Sequence, residues 1–118
     1  KRGFFVVPHL RSIDRTATET CDIVASLIQD GLQAVLVVTG DKPTHPEAKV
    51  YDTSSLALIS ELKNRFPTLQ VYGALDPYRQ SLTQECRYGD AKIQAGASGL
   101  FTQPFFHSGL AQFYLDYF

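Results

Sequence analysis

One phrase recurs four times along this chain: a short apolar run, a polar or Gly/Pro cluster at its end, then a stretch with helical spacing. The runs are FFVVPHL (residues 4–10), AVLVVTGD (34–41), LQVYGALDP (69–77) and SGLFTQPFF (98–106). Their starts lie about 30 residues apart, the length of one βαβ unit. Strand and helix in alternation predict an α/β fold whose parallel sheet carries helices on its outside. Such folds bind ligands just beyond the carboxyl ends of their strands. His9, Asp41, Asp76 and Gln103 all fall there, so the pattern locates a candidate site as well as a fold.

The spacing places strand one at residues 4–7, stopped by Pro8, with a loop over residues 11–15. A first helix spans residues 16–30, capped by Asp14 or Thr16. Ala17, Cys21, Val24 and Ile28 form its apolar face, and Gly31 takes the C-cap. Strand two, residues 34–38, is apolar throughout, as a central parallel strand buried on both faces must be. The loop DKPTHPEAKVYD follows Gly40; Pro43 and Pro46 exclude a regular helix from it, and long loops inside compact domains are usually functional.

The second helix runs over residues 54–66 with Leu58, Ile59, Leu62 and Phe66 inward, and strand three over residues 70–74. The third helix opens on a capping-box pattern from Ser81 to Gln84, turns Leu82, Cys86 and Ile93 inward and stops at Gly96. Strand four is residues 99–102. A short helix over residues 108–118 presents Phe113, Tyr114, Tyr117 and Phe118 as packing surface. Asp76-Pro77 reads as a turn, and His45 and His107 as solvent-facing.

At 118 residues the chain is a single partial β/α domain, residues 1–118. Two architectures accommodate four such strands. One is a partial (β/α)8 TIM barrel, whose inner face packs on the remaining strands. The other is a small doubly wound, flavodoxin-like sheet. A net charge of −1 with dispersed Lys and Arg gives no electrostatic footprint for nucleic acid or an anionic membrane. No apolar run approaches the ~18 residues of a membrane helix. Cys21 and Cys86 have no Cys or His partner at metal spacing. No metal is therefore expected, and both read as reduced, partly buried thiols in keeping with a cytoplasmic location. The strand lead-in at Lys1 and the absence of Met read as a missing natural start, with Lys1 a cut end.

The strand ends carry a further signal. Pro8-His9-Leu10, the run from Gly31 to Asp41 ending Thr39-Gly40-Asp41, and Ala95-Gly96-Ala97 leading into Phe101-Thr102-Gln103-Pro104-Phe105-Phe106 occur in order and in register. Together they resemble the methylenetetrahydrofolate reductases, which have a PHL strand, a strand ending in RGD and an AGA–x–ITQ–x–FF strand. The resemblance covers almost the whole chain and the third to sixth strands of that family's barrel. It implies a flavin-dependent oxidoreductase of one-carbon metabolism, with FAD at the carboxyl-terminal face and NADH or NADPH reducing methylenetetrahydrofolate. By that resemblance His9 lies beside the flavin, Thr39 occupies an FAD-binding position that the family gives to an arginine, and Gly40 and Asp41 lie where flavin and folate meet. Asp41 is the acidic group acting on both, and Gln103 hydrogen-bonds the pterin. Tyr51 packs on FAD, and Lys92 meets its phosphates. A carboxylate beside a flavin alters the cost of placing negative charge on the ring and favours a cationic iminium substrate. A glutamine amide offers both donor and acceptor to a pterin edge, and a glycine allows close backbone approach to a flat ligand.

The chain also departs from the family pattern. Thr39 stands where RGD has its arginine, and the loop at residues 74–81 lacks the tyrosine and histidine of YP–x–x–HPEA. Ala91 stands where an arginine flanks the lysine. The family's glutamate general acid belongs to the first barrel strand, outside this chain, so these residues alone are expected to be inactive. Two other readings therefore stand beside the reductase: a related barrel that has lost FAD binding and catalysis, and an excised, non-catalytic scaffold. An isolated partial barrel would expose an apolar inner face, and self-association through that face is expected. No G-x-G-x-x-G fingerprint chooses between NADH and NADPH.

Overall fold

Backbone pairing joins β1 (His9–Arg11), β2 (Ala34–Val38), β3 (Gln70–Leu75) and β4 (Gly99–Thr102) into one all-parallel sheet in the order β1-β2-β3-β4. The computed structural model describes residues 3–79 and 81–118. Lys1, read as a cut end, and Gln80, read as part of the loop at residues 75–80, lie outside them. The helices are α1 (Ala17–Gln29), α2 (Ser55–Arg65), α3 (Leu82–Gln94) and α4 (Ser108–Tyr117). Each parallel connection must cross over, and such crossovers are right-handed. Strands laid down in sequence order therefore place α1, α2 and α3 on one face, where α1 packs on α2 and α2 on α3. This singly wound order is the topology of a (β/α)8 barrel. A flavodoxin-like sheet would reverse strand order and carry helices on both faces.

The helix-side core explains why these elements hold. Leu58, Ile59 and Leu62 of α2 meet Cys21 and Val24 of α1 and Val35, Val37 and Val71 of the sheet. All are fully buried, and each large aliphatic side chain so buried contributes about 1.5–3 kcal/mol. Thr16 caps α1 in a complete capping box with Glu19. Gly31 and Gly96 close α1 and α3 in matching Schellman ends, their N–H groups bonding Ile28 and Ile93 carbonyls.

Strand one lies later than the apolar run suggested. His9 pairs with Leu36, and continuing that register puts Val7 opposite Ala34. Phe4, Phe5 and Val6 therefore project past the start of β2 and have no ladder to join; they are 82%, 63% and 64% exposed. Pro8 leads into the strand rather than stopping it, its carbonyl accepting from Leu36 N–H at 3.0 Å just before β1.

The inward face of α3 also differs from expectation. Cys86 is buried, but Leu82 and Ile93 are 37% and 44% exposed. Glu85, Gly89 and Lys92 take the inward positions beside Cys86. The helix is rotated by about one residue because its polar pair, rather than its aliphatic residues, engages the end of β3. Ser81 caps it through Gln84 N–H at 3.3 Å. Tyr114 is the buried member of the α4 aromatic stripe, packed with Leu75 and Cys86.

Candidate functional site

Alternation along a strand assigns its side chains to faces. Leu10, Val35, Val37, Val71 and Leu100 pack on the helix side. His9 and Arg11 of β1, Leu36 of β2, Tyr72 and Ala74 of β3 and Phe101 of β4 therefore share the opposite, inner face. Tyr72 and Phe101 stack there with ring centroids 4.9 Å apart. Gln103 continues the inner register just past β4, and its N–H bonds Leu75 O at 3.3 Å.

A cleft of about 230 Å³ opens at the carboxyl ends of β2 and β3. Thr39, Gly40, Asp41, Asp76, Lys92 and Gln103 are among the residues that line it. A second hollow of about 470 Å³, toward β1, is lined by His9, Arg11, Gly40, Asp41 and Lys42. Gly40 and Asp41 thus separate two concave surfaces, and the Asp41 carboxylate has no hydrogen bond or ion pair among the described residues. Tyr51 stands apart from both. Its N–H bonds Ile13 O at 2.9 Å, and Lys49 Nζ lies 4.6 Å from its ring centroid. With Thr53 Oγ1 donating to Arg15 O at 3.1 Å, Tyr51 ties the long β2–α2 loop to the β1–α1 loop.

Gly40 is required for a reason the sequence did not disclose. Its φ is +86°, in the left-handed region, and the space a Cβ would fill is occupied by Arg11. The Arg11 side chain crosses Gly40, and its Nη2 donates to Asp41 O at 2.5 Å. Its Nε faces Asp14 Oδ1 at 3.5 Å. Arg11 was not singled out from sequence, although its place two residues after His9 on the same strand puts both on one face.

Beneath β3 lies a buried polar cluster that sequence reasoning also missed. Glu85, 3% exposed, accepts from Asp76 N–H at 2.8 Å through Oε1 and pairs with Arg79 at 3.4 Å through Oε2. Lys92, 5% exposed, donates to Ala74 O and lies 4.3 Å from the Tyr88 ring centroid. Tyr88 and Ser55 share a hydroxyl hydrogen bond of 3.0 Å. Burial holds the Lys92 ammonium below the ordinary lysine range, Glu85 opposing that shift and Arg79 adding to it. Above the cluster, Tyr78 Oη donates to Pro104 O at 3.1 Å and accepts from Phe106 N–H at 2.7 Å. One hydroxyl therefore clamps the β3–α3 loop to the segment carrying Gln103. Asp76-Pro77 is a turn, with Tyr78 N–H on Asp76 Oδ1 at 3.0 Å.

These residues suit one part of a flavin nucleotide better than another. A flat ring with donors and acceptors at its edge matches strand ends that offer the Gln103 amide in the cleft, exposed His9 and Arg11 in the second hollow, and the Asp41 carboxylate between them. The phosphates are matched less well. Thr39 is neutral, and the Lys92 amine is turned inward onto the Ala74 carbonyl. No group of three or more His, Cys, Asp or Glu among the described residues is arranged to hold a metal ion. No described helix is long and apolar enough to cross a membrane.

The family model for methylenetetrahydrofolate reductase matches residues 1–115. The 5,10-methylenetetrahydrofolate reductase of Buchnera aphidicola (subsp. Schizaphis graminum) is 23% identical over 108 residues, covering 91% of this chain and 37% of that protein. The protein of the same name from Escherichia coli K12 is 25% identical over 107 residues, covering 90% and 36%. The chain thus spans little more than a third of the length of these relatives. A solved structure of a monomeric dihydrodipicolinate synthase variant, a TIM-barrel enzyme, superposes with a TM-score of 0.65 at 18% identity. That match covers 97% of this chain and 40% of the other, in agreement with the singly wound barrel topology.

Proposed function

The chain belongs to the methylenetetrahydrofolate reductase family, and we propose that it contributes strand-end residues to the flavin and folate site of an NADH- or NADPH-driven, cytoplasmic methylenetetrahydrofolate reductase. The observation that carries this reading is the convergence of Thr39, Gly40, Asp41 and Gln103 on one cleft. They come from the ends of two strands separated in sequence by about 60 residues, two βαβ units.

When bound, FAD would supply the hydride chemistry. Asp41 offers an exposed carboxylate at the rim, where it favours a cationic iminium form of the folate and orients it by charge. Gln103 presents donor and acceptor to a pterin edge, and Tyr78 fixes the backbone that follows it. His9, on the inner face of β1, borders the hollow beside Gly40. Lys92 lines the cleft with its amine engaged on the carbonyl of Ala74.

The test is a visible absorption spectrum of the full-length protein, before and after incubation with FAD and desalting. Retained flavin that NADH or NADPH bleaches, and that methylenetetrahydrofolate reoxidises, is the expected result, with Asp41→Ala slowing the second step. A folded protein that retains no flavin would sink this reading. It would favour a family barrel without cofactor, which the neutral Thr39 and the inward-turned Lys92 already support as the second reading.

A further inference from the structure

We propose that Arg11 is a flavin-binding residue, delivering its guanidinium to the electron-rich pyrimidine edge of the ring beside Gly40; this rests on the flavin site proposed above. Three observations converge on it. First, Arg11 belongs to the inner face of the sheet, where Leu10 on the helix side forces its neighbours. Second, Gly40 leaves its Cβ space to this side chain, so the guanidinium, though still solvent-accessible, lies against the backbone at the β2 end. Third, the hollow of about 470 Å³ beside it is lined by His9, Gly40, Asp41 and Lys42 as well as Arg11.

The Asp41 carbonyl and Asp14 carboxylate take part of the fork. A guanidinium has five N–H donors, and the rest have no partner among the described residues. The other cations expected from the family pattern are not available here: position 39 is threonine and Lys92 is buried on Ala74. Arg11 supplies the missing positive charge from the neighbouring strand. It acts on ring chemistry as well as on affinity. A hydride transferred to the oxidised ring brings two electrons and one proton, so the reduced ring carries one added negative charge. A fixed cation at its edge favours that state.

The experiment compares wild type, Arg11→Gln and Arg11→Lys in the full-length protein, with thermal unfolding as a folding control. Riboflavin and FAD are titrated separately, and the midpoint potential of the bound flavin is measured. Arg11→Gln is expected to weaken both ligands by about tenfold, the scale of one charge-assisted hydrogen bond. A reduced form weakened about tenfold more than the oxidised form lowers the two-electron potential by about 30 mV. Arg11→Lys should restore most of the potential and less of the affinity, because it keeps the charge without the fork. Unchanged binding and potential in a folded Arg11→Gln protein would overturn the assignment. So would a loss confined to FAD, which would move the contact to the phosphates. A wild type that binds neither ligand would overturn the flavin site itself and this residue's role with it.

Discussion

Replacing Gly40 by alanine tests whether the strand-end geometry is built as described. Gly40 has φ +86°, and an added Cβ would overlap Arg11 Nε and stand 3.1 Å from Arg11 Cζ. An L-residue held in the left-handed region costs about 1–2 kcal/mol. The guanidinium must also leave Asp41 O, now 2.5 Å from Nη2; for an exposed bond that adds about 0.5–1.5 kcal/mol. Gly40→Ala should therefore destabilise by about 2–3 kcal/mol in urea unfolding at constant m. In an Arg11→Ala background the overlap and the bond are both absent, so the same substitution should cost only the backbone part. The double-mutant cycle should give a coupling of about 1 kcal/mol. Equal losses in both backgrounds would show that Arg11 does not occupy the space over Gly40. A neutral Gly40→Ala would show that the turn does not need a positive φ.

Other expectations follow from the same structure. The buried Lys92 ammonium is held below the ordinary lysine range, so the folded chain releases that proton before the unfolded one. Wild-type stability relative to Lys92→Met should then rise as pH climbs through the lowered value toward the ordinary range, and a flat difference would refute the burial argument. Tyr78→Phe removes both bonds of the clamp. It should cost about 1–3 kcal/mol in stability and weaken the folate binding proposed above by up to roughly tenfold, read from KM; an unchanged KM would separate the clamp from Gln103. Cys21 and Cys86 are free and buried, and burial pushes both thiols up. A disulfide reagent should modify them only as fast as the chain opens, and rapid labelling of the native protein would contradict the packing. The 118-residue chain alone should self-associate through the face bearing Tyr72 and Phe101; a light-scattering mass that stays monomeric at high concentration would count against that.

Much of the fold was legible because the sequence states it redundantly. β2 and β4 follow the apolar runs, and the ends of α1 and α3 follow Thr16, Gly31, Ser81 and Gly96. At each of those places, propensity, capping chemistry and burial agree. The first strand was misplaced because hydrophobicity reports a tendency to pair and carries no information about where the partner strand begins. Phe4, Phe5 and Val6 have strand composition, yet the register His9 to Leu36 leaves them nothing to bond. The α3 face was misread for a related reason. A helix with few aliphatic residues can satisfy the 3.6-residue period on more than one face, and the face chosen here is decided by Glu85 reaching Asp76 N–H and Lys92 reaching Ala74 O.

The candidate site divides along the same line. Residues on strand ends, such as Asp41 and Gln103, can be located from sequence because the barrel topology fixes where any strand end must be. Residues that act through the third dimension cannot be located that way. Arg11 reaches Asp41 across a strand pair, with a separation of 30 residues. Tyr78 reaches Phe106 across two loops 28 residues apart. Neither leaves a local motif. Each does leave an indirect trace: a glycine at position 40 whose left-handed backbone lies under Arg11, and a tyrosine directly after an Asp-Pro turn. The trace at Gly40 also separates two explanations that sequence alone conflates. A glycine at a ligand-binding strand end is equally consistent with an approaching ligand and with an approaching side chain. Here the volume belongs to Arg11, so a ligand beside Gly40 meets a guanidinium rather than bare backbone. A strand end with threonine at position 39 thereby still presents a guanidinium, from the strand next door.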